Sequence, residues 1–527
     1  MEHLELLIFG ILLAIPALAV LAGKVGVPYP VTLVVGGAII GFVPGVPEVE
    51  LDPDLVLLIF LPPLLYGAAF FTSLRDLRDN ARPIALLSVG VVFATMWAVA
   101  VLAHHVIGLD WAESFVLGAI VSPTDAVAPA EIMRRVGAPR RLLAVVEGEN
   151  LTNDWTALVL YRVAVAAVVS GSFSLAEASL EFVLSGVGGL IVGLAVGRVI
   201  RWVRSQLNDP PIEITISILS GYAAYLPAEE LGLSGVIAAV TVGVYMGWHT
   251  PELTTAVMRI QTTAVWEILM FLLNAILFLL VGLQLPTVLD NLSGHTTGEL
   301  ILWGVLVSLV VIGVRLAWQF TVIYLIRAVD RRPAQRERRS TVGQRLVVGW
   351  AGMRGSVSLA AALALPTQID TGAPFPERNL LIFLAFAVIV ATLVGQGLTL
   401  GPLIRRLGML GDDGEREEEV RARLKTSAAA LSRIDELSQE DWVRDDTAER
   451  VSGIFRYRQR RFGAQADGDS EGEQYEERTD AYRRLMYELF DAQRDALLTL
   501  RNQGQIGDEV RRRIERELDL EESRIEP

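Results

Sequence analysis

The chain has no cysteine, five histidines and two lysines, Lys24 and Lys425, among 527 residues. Without a thiol there are no disulfides, no thiolate nucleophile and no cysteine metal site. Every other basic residue is arginine, a skew that speaks of coding rather than chemistry. No nucleophile–base set appears. His104 and His105 close an apolar stretch with no partner near them in sequence, so an enzyme is not the expectation. No cofactor and no nucleic-acid partner are expected. A cleaved leader is also disfavoured, because Glu2 and Glu5 make the first residues acidic and the apolar run behind them is long.

What the chain has in abundance is apolar residues. They make up 52% of it, and the mean hydropathy is +0.44. They come in blocks of about 18 or more, enough to cross a hydrocarbon core of about 30 Å. Charge is segregated: residues 410–527 carry 31 acidic and 21 basic side chains, a net of −10, while residues 1–409 net only −4. The expected organisation is a transmembrane domain over 1–409 and a charged helical tail over 410–527. Thirteen spans are expected, near 4–22, 30–46, 54–73, 83–106, 112–134, 141–169, 177–203, 211–227, 232–248, 264–286, 299–327, 342–366 and 378–404.

Arginine gives an independent check, since loops on the cytosolic side carry the positive charge. Alternate loops hold Lys24; Arg75, Arg78 and Arg82; Arg134, Arg135, Arg140 and Arg141; Arg201 and Arg204; Arg259; Arg331, Arg332, Arg336, Arg338 and Arg339; and Arg405 and Arg406. The intervening loops have almost none. The expectation is a plasma-membrane protein with its N-terminus outside and its tail in the cytosol.

The segment "VSPTDAVAP", 121–129, sits inside an apolar stretch yet carries Asp125, Pro123 and Pro129. A proline inside a helix removes a donor and displaces the carbonyl four residues earlier. Pro129 is thereby expected to free the carbonyl of Asp125, and Pro123 that of Ala119. Freed carbonyls at membrane depth persist only inside protein or along a wet cavity. With Ser122, Thr124 and Asp125 they form a cluster of hard oxygen ligands suited to a small cation. The bland alternative is a kink around a satisfied core aspartate.

The next span, "VEGENLTNDWTALVL", carries Glu147, Glu149, Asn150, Asn153 and Asp154. On a helix these fall on two adjacent stripes, a polar face that must look into protein. Buried carboxylates need a cationic partner or a proton. Two arginines lie deep in later spans, Arg315 and Arg354. Arg354 stands among Gly349, Gly352 and Gly355 in "GWAGMRGSVSLA" and is the expected counter-charge for Glu149 or Asp154. A proton and a metal ion can each neutralise the remaining carboxylate through the same oxygens. Competition at one alternately accessible site yields a proton-coupled antiporter.

At these residues the chain resembles the cation:proton antiporter-1 family, the bacterial relatives of the sodium/proton exchangers. The resemblance spans about 400 residues. It rests on "FLPPLLYGAA" at 60–69, "SPTDAVA" at 122–128, "EGENLTND" at 147–154, "LVGLQL" at 280–285 and "GMRGSVSLA" at 352–360. It implies an all-α membrane fold with two inverted three-helix repeats, spans four to six and eleven to thirteen, whose broken middle helices cross. It implies a homodimer in the lipid bilayer with elevator motion. It implies Asp154 as the main cation- and proton-binding carboxylate, Asp125, Thr124 and Asn153 at the other site positions, and Glu149 with Arg354 as a structural ion pair. The asparagine–aspartate order resembles the electroneutral branch. Asn150 replaces a common serine and, with Ser122, bears on cation selectivity. Potassium/proton exchange is the alternative to sodium/proton exchange. A cation channel and a sodium-coupled organic-anion carrier are the rivals from other classes.

The tail is expected to form amphipathic helices near 415–437, 440–462, 475–503 and 508–524, with a break at "AQADGDSEGEQ", 464–474. Its "RYRQRRF", 456–462, is either a lipid contact or a solvated face.

Overall fold

The computed structural model describes residues 2–44, 53–172, 174–207, 209–290, 292, 295–329, 340–409, 411, 413–467 and 470–525, most of them in helices and none in a strand. The chain separates into two compact units, Met1–Gly411 and Asp412–Pro527.

Each apolar stretch of the first unit falls on a helix, or on a helix broken in its middle. The boundaries follow local chemistry. Helix Pro210–Glu230 starts at two prolines behind Asp209, whose carboxylate accepts from the Ile212 amide. Ser234 and Thr255 cap Gly235–Leu253 and Ala256–Leu283 in the same way. Thr341 and Gln344 form a reciprocal capping box at Val342–Trp350. Gly171 ends helix Arg140–Ser170 at φ 67°, a left-handed conformation that costs glycine little. Among the described residues five helices are long and apolar enough by themselves to cross a membrane: Ala81–Ile107, Ala178–Arg204, Ala256–Asp290, Thr297–Val322 and Arg378–Arg406. Arg331, Arg332, Arg336, Arg338 and Arg339 lie outside the described residues.

Two sets of three helices stand out. The first is Ala81–Ile107, the pair Trp111–Val121 and Val127–Arg135, and Arg140–Ser170. The second is Thr297–Val329, the pair Val342–Trp350 and Ser356–Leu363, and Arg378–Arg406. In each, the middle helix is interrupted, at 122–126 and at 351–355. The second break could not be placed from sequence. The interruptions cross and touch, the Asp125 amide donating to the Met353 carbonyl at 2.8 Å.

The prolines act less directly than expected. Pro129 occupies the first turn of Val127–Arg135, where amides have no intrahelical acceptor, so it costs nothing there. The Ala119 carbonyl is not left open either: it accepts from the Ser122 hydroxyl at 2.9 Å.

The remaining helices of the unit pack against these sets. Helix Tyr29–Gly41 lies so close to Ala256–Leu283 that a Cβ at Gly37 would collide with the Leu279 carbonyl. Small residues permit such contact, which supplies much of helix association in lipid. Nearby, Tyr66 packs on Trp266 with ring centroids 5.3 Å apart, and the Trp266 indole donates to Ser217 at 3.0 Å. Arg204, expected in a loop, is buried and holds Glu213 at 2.7 Å.

The second unit consists of helices Asp413–Leu437, Asp445–Asp467, Ser470–Asn502 and Asp508–Glu522. Helix occupies 464–467 and 470–474 of the segment read as a break; 468 and 469 lie outside the described residues. "RYRQRRF" belongs to the second of these helices, with Phe462 buried and Arg423 5.2 Å above its ring. Part of that segment is thus internal packing rather than free surface.

Candidate functional site

Where the broken helices cross, four half-helix ends meet. Two are C-termini, at Val121 and Trp350, and two are N-termini, at Val127 and Ser356. Carbonyl dipoles leave the former negative and the latter positive. The sequence places one residue of each charge there. Arg354 is completely buried, and its Nε donates to the Val121 carbonyl at 3.0 Å while Nη1 donates to the Gly352 carbonyl. Its backbone amide donates to the Thr392 hydroxyl at 3.0 Å. Asp125 does the opposite. Its Oδ1 accepts from the Val127 amide at 2.8 Å, and its other oxygen lies against Gly355, where any Cβ would collide with the carboxylate. Each charge thus meets backbone groups of opposite polarity at the breaks.

The expected Glu149–Arg354 ion pair is therefore corrected. The guanidinium that holds Glu149 belongs to Arg315, with Nη1 2.5 Å from Oε1 and Nη2 2.7 Å from Oε2. Both side chains are buried. Arg315 also donates to the Val348 carbonyl at 3.2 Å. The physical reason is that the Val121 and Gly352 carbonyls occupy Arg354, whereas Arg315 projects from an unbroken helix and, among the described residues, has no other carboxylate at ion-pair distance.

Glu149 is the hub of a longer network. Thr124 Oγ1 donates to its Oε1 at 3.0 Å, and Asn153 Nδ2 donates to both Thr124 Oγ1 at 2.8 Å and the Thr124 carbonyl at 3.0 Å. Asn150 Oδ1 accepts from the Ala126 amide at 3.1 Å. These three expected site residues hold the first break open. Glu147 lies apart from them and pairs with Arg134. Ser122 is turned back on its own helix.

Asp154 stands outside this network. It is 3% exposed, and among the described residues it neither accepts a hydrogen bond nor faces a cation at ion-pair distance. It lines a cavity of about 60 Å³ together with Asp125, Thr124 and Asn150, with Leu65 and Asn274 of other helices also in its wall. That is room for a dehydrated monovalent cation or a few waters, a water needing at least about 10–15 Å³. The cavity thus lies between the broken-helix sets and the helices Pro53–Phe71 and Ala256–Leu283. Two polar neighbours escaped sequence reasoning. Ser358 stands in an unremarkable "SVSLA" and Asn274 in "FLLNAILFLL", where a lone amide in an apolar run was the available signal.

The comparisons with known proteins agree with this architecture. The model of the family described as sodium/hydrogen exchanger, transmembrane, matches residues 10–406. An uncharacterised Na+/H+ exchanger of Mycobacterium bovis is 38% identical over 98% of this chain and 97% of its own length. A Bacillus subtilis protein named as a sodium, potassium, lithium and rubidium/H+ antiporter is 34% identical, covering 70% of this chain and 56% of its own. The structure of the sodium proton antiporter MjNhaP1 from Methanocaldococcus jannaschii at pH 8 aligns with a TM-score of 0.60 at 20% identity, over 78% of this chain and all of that one. With the crossed half-helices and the buried carboxylates already in place, the match over the whole membrane unit settles the class: the chain belongs to the sodium/hydrogen exchanger family of membrane antiporters, and it is a transporter rather than an enzyme.

Proposed function

We propose that the protein exchanges monovalent cations for protons, electroneutrally, by competitive binding at Asp154. The observation that carries this reading is the isolation of that carboxylate. Arg315 is spent on Glu149 and Arg354 on half-helix carbonyls, so no described cation offsets Asp154. A buried charge without a partner costs several kcal/mol. A proton or a bound cation removes that cost, and both use the same oxygens. Asp125 differs, because the Val127 amide at a half-helix N-terminus donates to it. One exchangeable charge per cycle makes the exchange one for one.

Asp125, Thr124 and Asn153 shape the site, Asn150 and Ser122 tune its choice of cation, and Asp125 shares the bound ion with Asp154. The cavity's place between two groups of helices supports alternating access in which the crossed sets slide as one body, an elevator. Thirteen crossings, an outside N-terminus, a cytosolic tail over 410–527, a plasma-membrane location and a homodimer complete the reading. The name of the Bacillus relative supports sodium, lithium, potassium and rubidium as the cations to try, with potassium/proton exchange as the second reading.

The test is proton flux from liposomes holding the purified protein, challenged with lithium, sodium, potassium and rubidium in turn. The wild type should take up or release protons in response, with apparent cation affinity falling as pH drops. Asp154→Asn should abolish the response and stay folded, because a neutral amide is cheaper to bury than a carboxylate. Robust exchange by Asp154→Asn would sink the competitive-site mechanism.

A further inference from the structure

The Asp154 cavity contains two neutral oxygens that the hydrogen-bond network does not use, and we infer that they, rather than the asparagines of the "EGENLTND" segment, complete the cation's coordination: Ser358 Oγ and Asn274 Oδ1. The inference rests on the reading of Asp154 and Asp125 as the cation site.

A monovalent cation that has shed its water needs several oxygen ligands, and two carboxylates do not surround it. Most neighbouring polar groups are already committed, and Asn153, whose Oδ1 also lacks a partner among the described residues, does not line the cavity. Thr124 Oγ1 donates to Glu149 and accepts from Asn153, and Asn150 Oδ1 accepts from the Ala126 amide. Moving either toward a cation would break a bond that holds the first break open. Ser358 is 2% exposed, yet its hydroxyl has no hydrogen-bond partner. A buried hydroxyl left so is unusual and calls for a water, an ion or a function. It lines the same cavity as both aspartates.

Asn274 supplies the other oxygen. Its Nδ2 donates to the Met270 carbonyl at 2.7 Å, one turn back on its own helix. That bond fixes the amide plane and leaves Oδ1, a hard acceptor, as the end facing away from the helix backbone. Asn274 lines the cavity from a helix outside the crossed sets. The two oxygens therefore approach from different helices, Ser356–Leu363 and Ala256–Leu283, as a pair of neutral ligands facing two carboxylates.

The experiment measures the cation KM of proton-coupled exchange in liposomes for Ser358→Ala, Asn274→Ala and Ser358→Thr, with Asp154→Asn beside them. Loss of one neutral ligand should raise the KM for sodium about tenfold, which is about 1.4 kcal/mol of binding. The maximal rate should hold within about twofold, and the preference among lithium, sodium, potassium and rubidium should change. Ser358→Thr keeps the oxygen and should keep the wild-type KM. A role confined to packing would lower folded yield without moving the ion preference. Should Asn274→Ala give no monodisperse protein, Asn274→Ser decides the question: serine rebuilds the bond to Met270 while its oxygen stops short of the cavity, so KM should rise equally. Wild-type KM and ion preference in both truncations, with Asp154→Asn inactive, would overturn this inference alone. Exchange by Asp154→Asn would overturn the site reading beneath it.

Discussion

The Glu149–Arg315 pair can be tested against the Glu149–Arg354 alternative by double-mutant cycles. In the structure Glu149 takes two hydrogen bonds from Arg315 and one from Thr124, all out of water. Removing one partner of a buried pair strands the other and typically costs about 3–5 kcal/mol. Glu149→Gln keeps an acceptor for Thr124 but leaves the Arg315 charge uncompensated. Arg315→Met strands Glu149 instead. The double mutant strands neither, so the two losses should not add. Pairs in contact show coupling of about 0.5–3 kcal/mol, and a bidentate pair with both partners buried belongs at the upper end, about 2–3 kcal/mol. Arg354→Met should also destabilise, since it abandons the Val121 and Gly352 carbonyls, but its coupling to Glu149→Gln should be smaller than that of Arg315, because its hydrogen bonds go to those carbonyls and not to Glu149. The assay is the midpoint of thermal inactivation in detergent, followed by the monodisperse fraction on gel filtration. Coupling of Glu149 to Arg354 as large as that to Arg315 would refute the assignment.

Two further outcomes are expected. Gly355→Ala places a methyl on the Asp125 carboxylate, so it should abolish exchange and lower the melting point by several degrees, whereas alanine at Gly298, where a Cβ has open space, should leave both unchanged. Because the chain has no cysteine, single substitutions report topology cleanly. Ser172→Cys should react with an impermeant thiol reagent from outside, Ser340→Cys only from inside, and the reverse pattern would overturn the orientation.

The elements were legible because their causes are local. A run of apolar residues between capping groups makes a helix whatever surrounds it: Gly235–Leu253 and Val342–Trp350 start close to the spans expected from 232 and 342, whereas Ala256–Leu283, capped by Thr255, starts well before the span expected from 264. The first break was legible for a related reason: two prolines and an aspartate within nine residues of an apolar run do not fit an unbroken helix facing lipid. The second was not, because "GWAGMRGSV" contains glycine in place of proline, and glycine permits a break without dictating where it falls. Asn274 was overlooked because one amide in a long apolar helix gives no sign of what lies across from it.

The ion pair failed to read correctly for a reason that matters to the chemistry. Choosing between Arg315 and Arg354 requires knowing which way each side chain is turned, and that depends on where the half-helices end. Once the breaks lie at 122–126 and 351–355, the assignment follows. The Val121 and Gly352 carbonyls claim Arg354, and the Val127 amide claims Asp125. Arg315 is then the guanidinium left to hold Glu149. What remains is Asp154, one helical turn beyond Asn150, buried and without a described partner. Charge compensation elsewhere is thus what leaves one carboxylate free to exchange its counter-ion. A positive charge supplied close to Asp154, as by Ser358→Lys, would remove that freedom and silence exchange even with every other residue of the site intact.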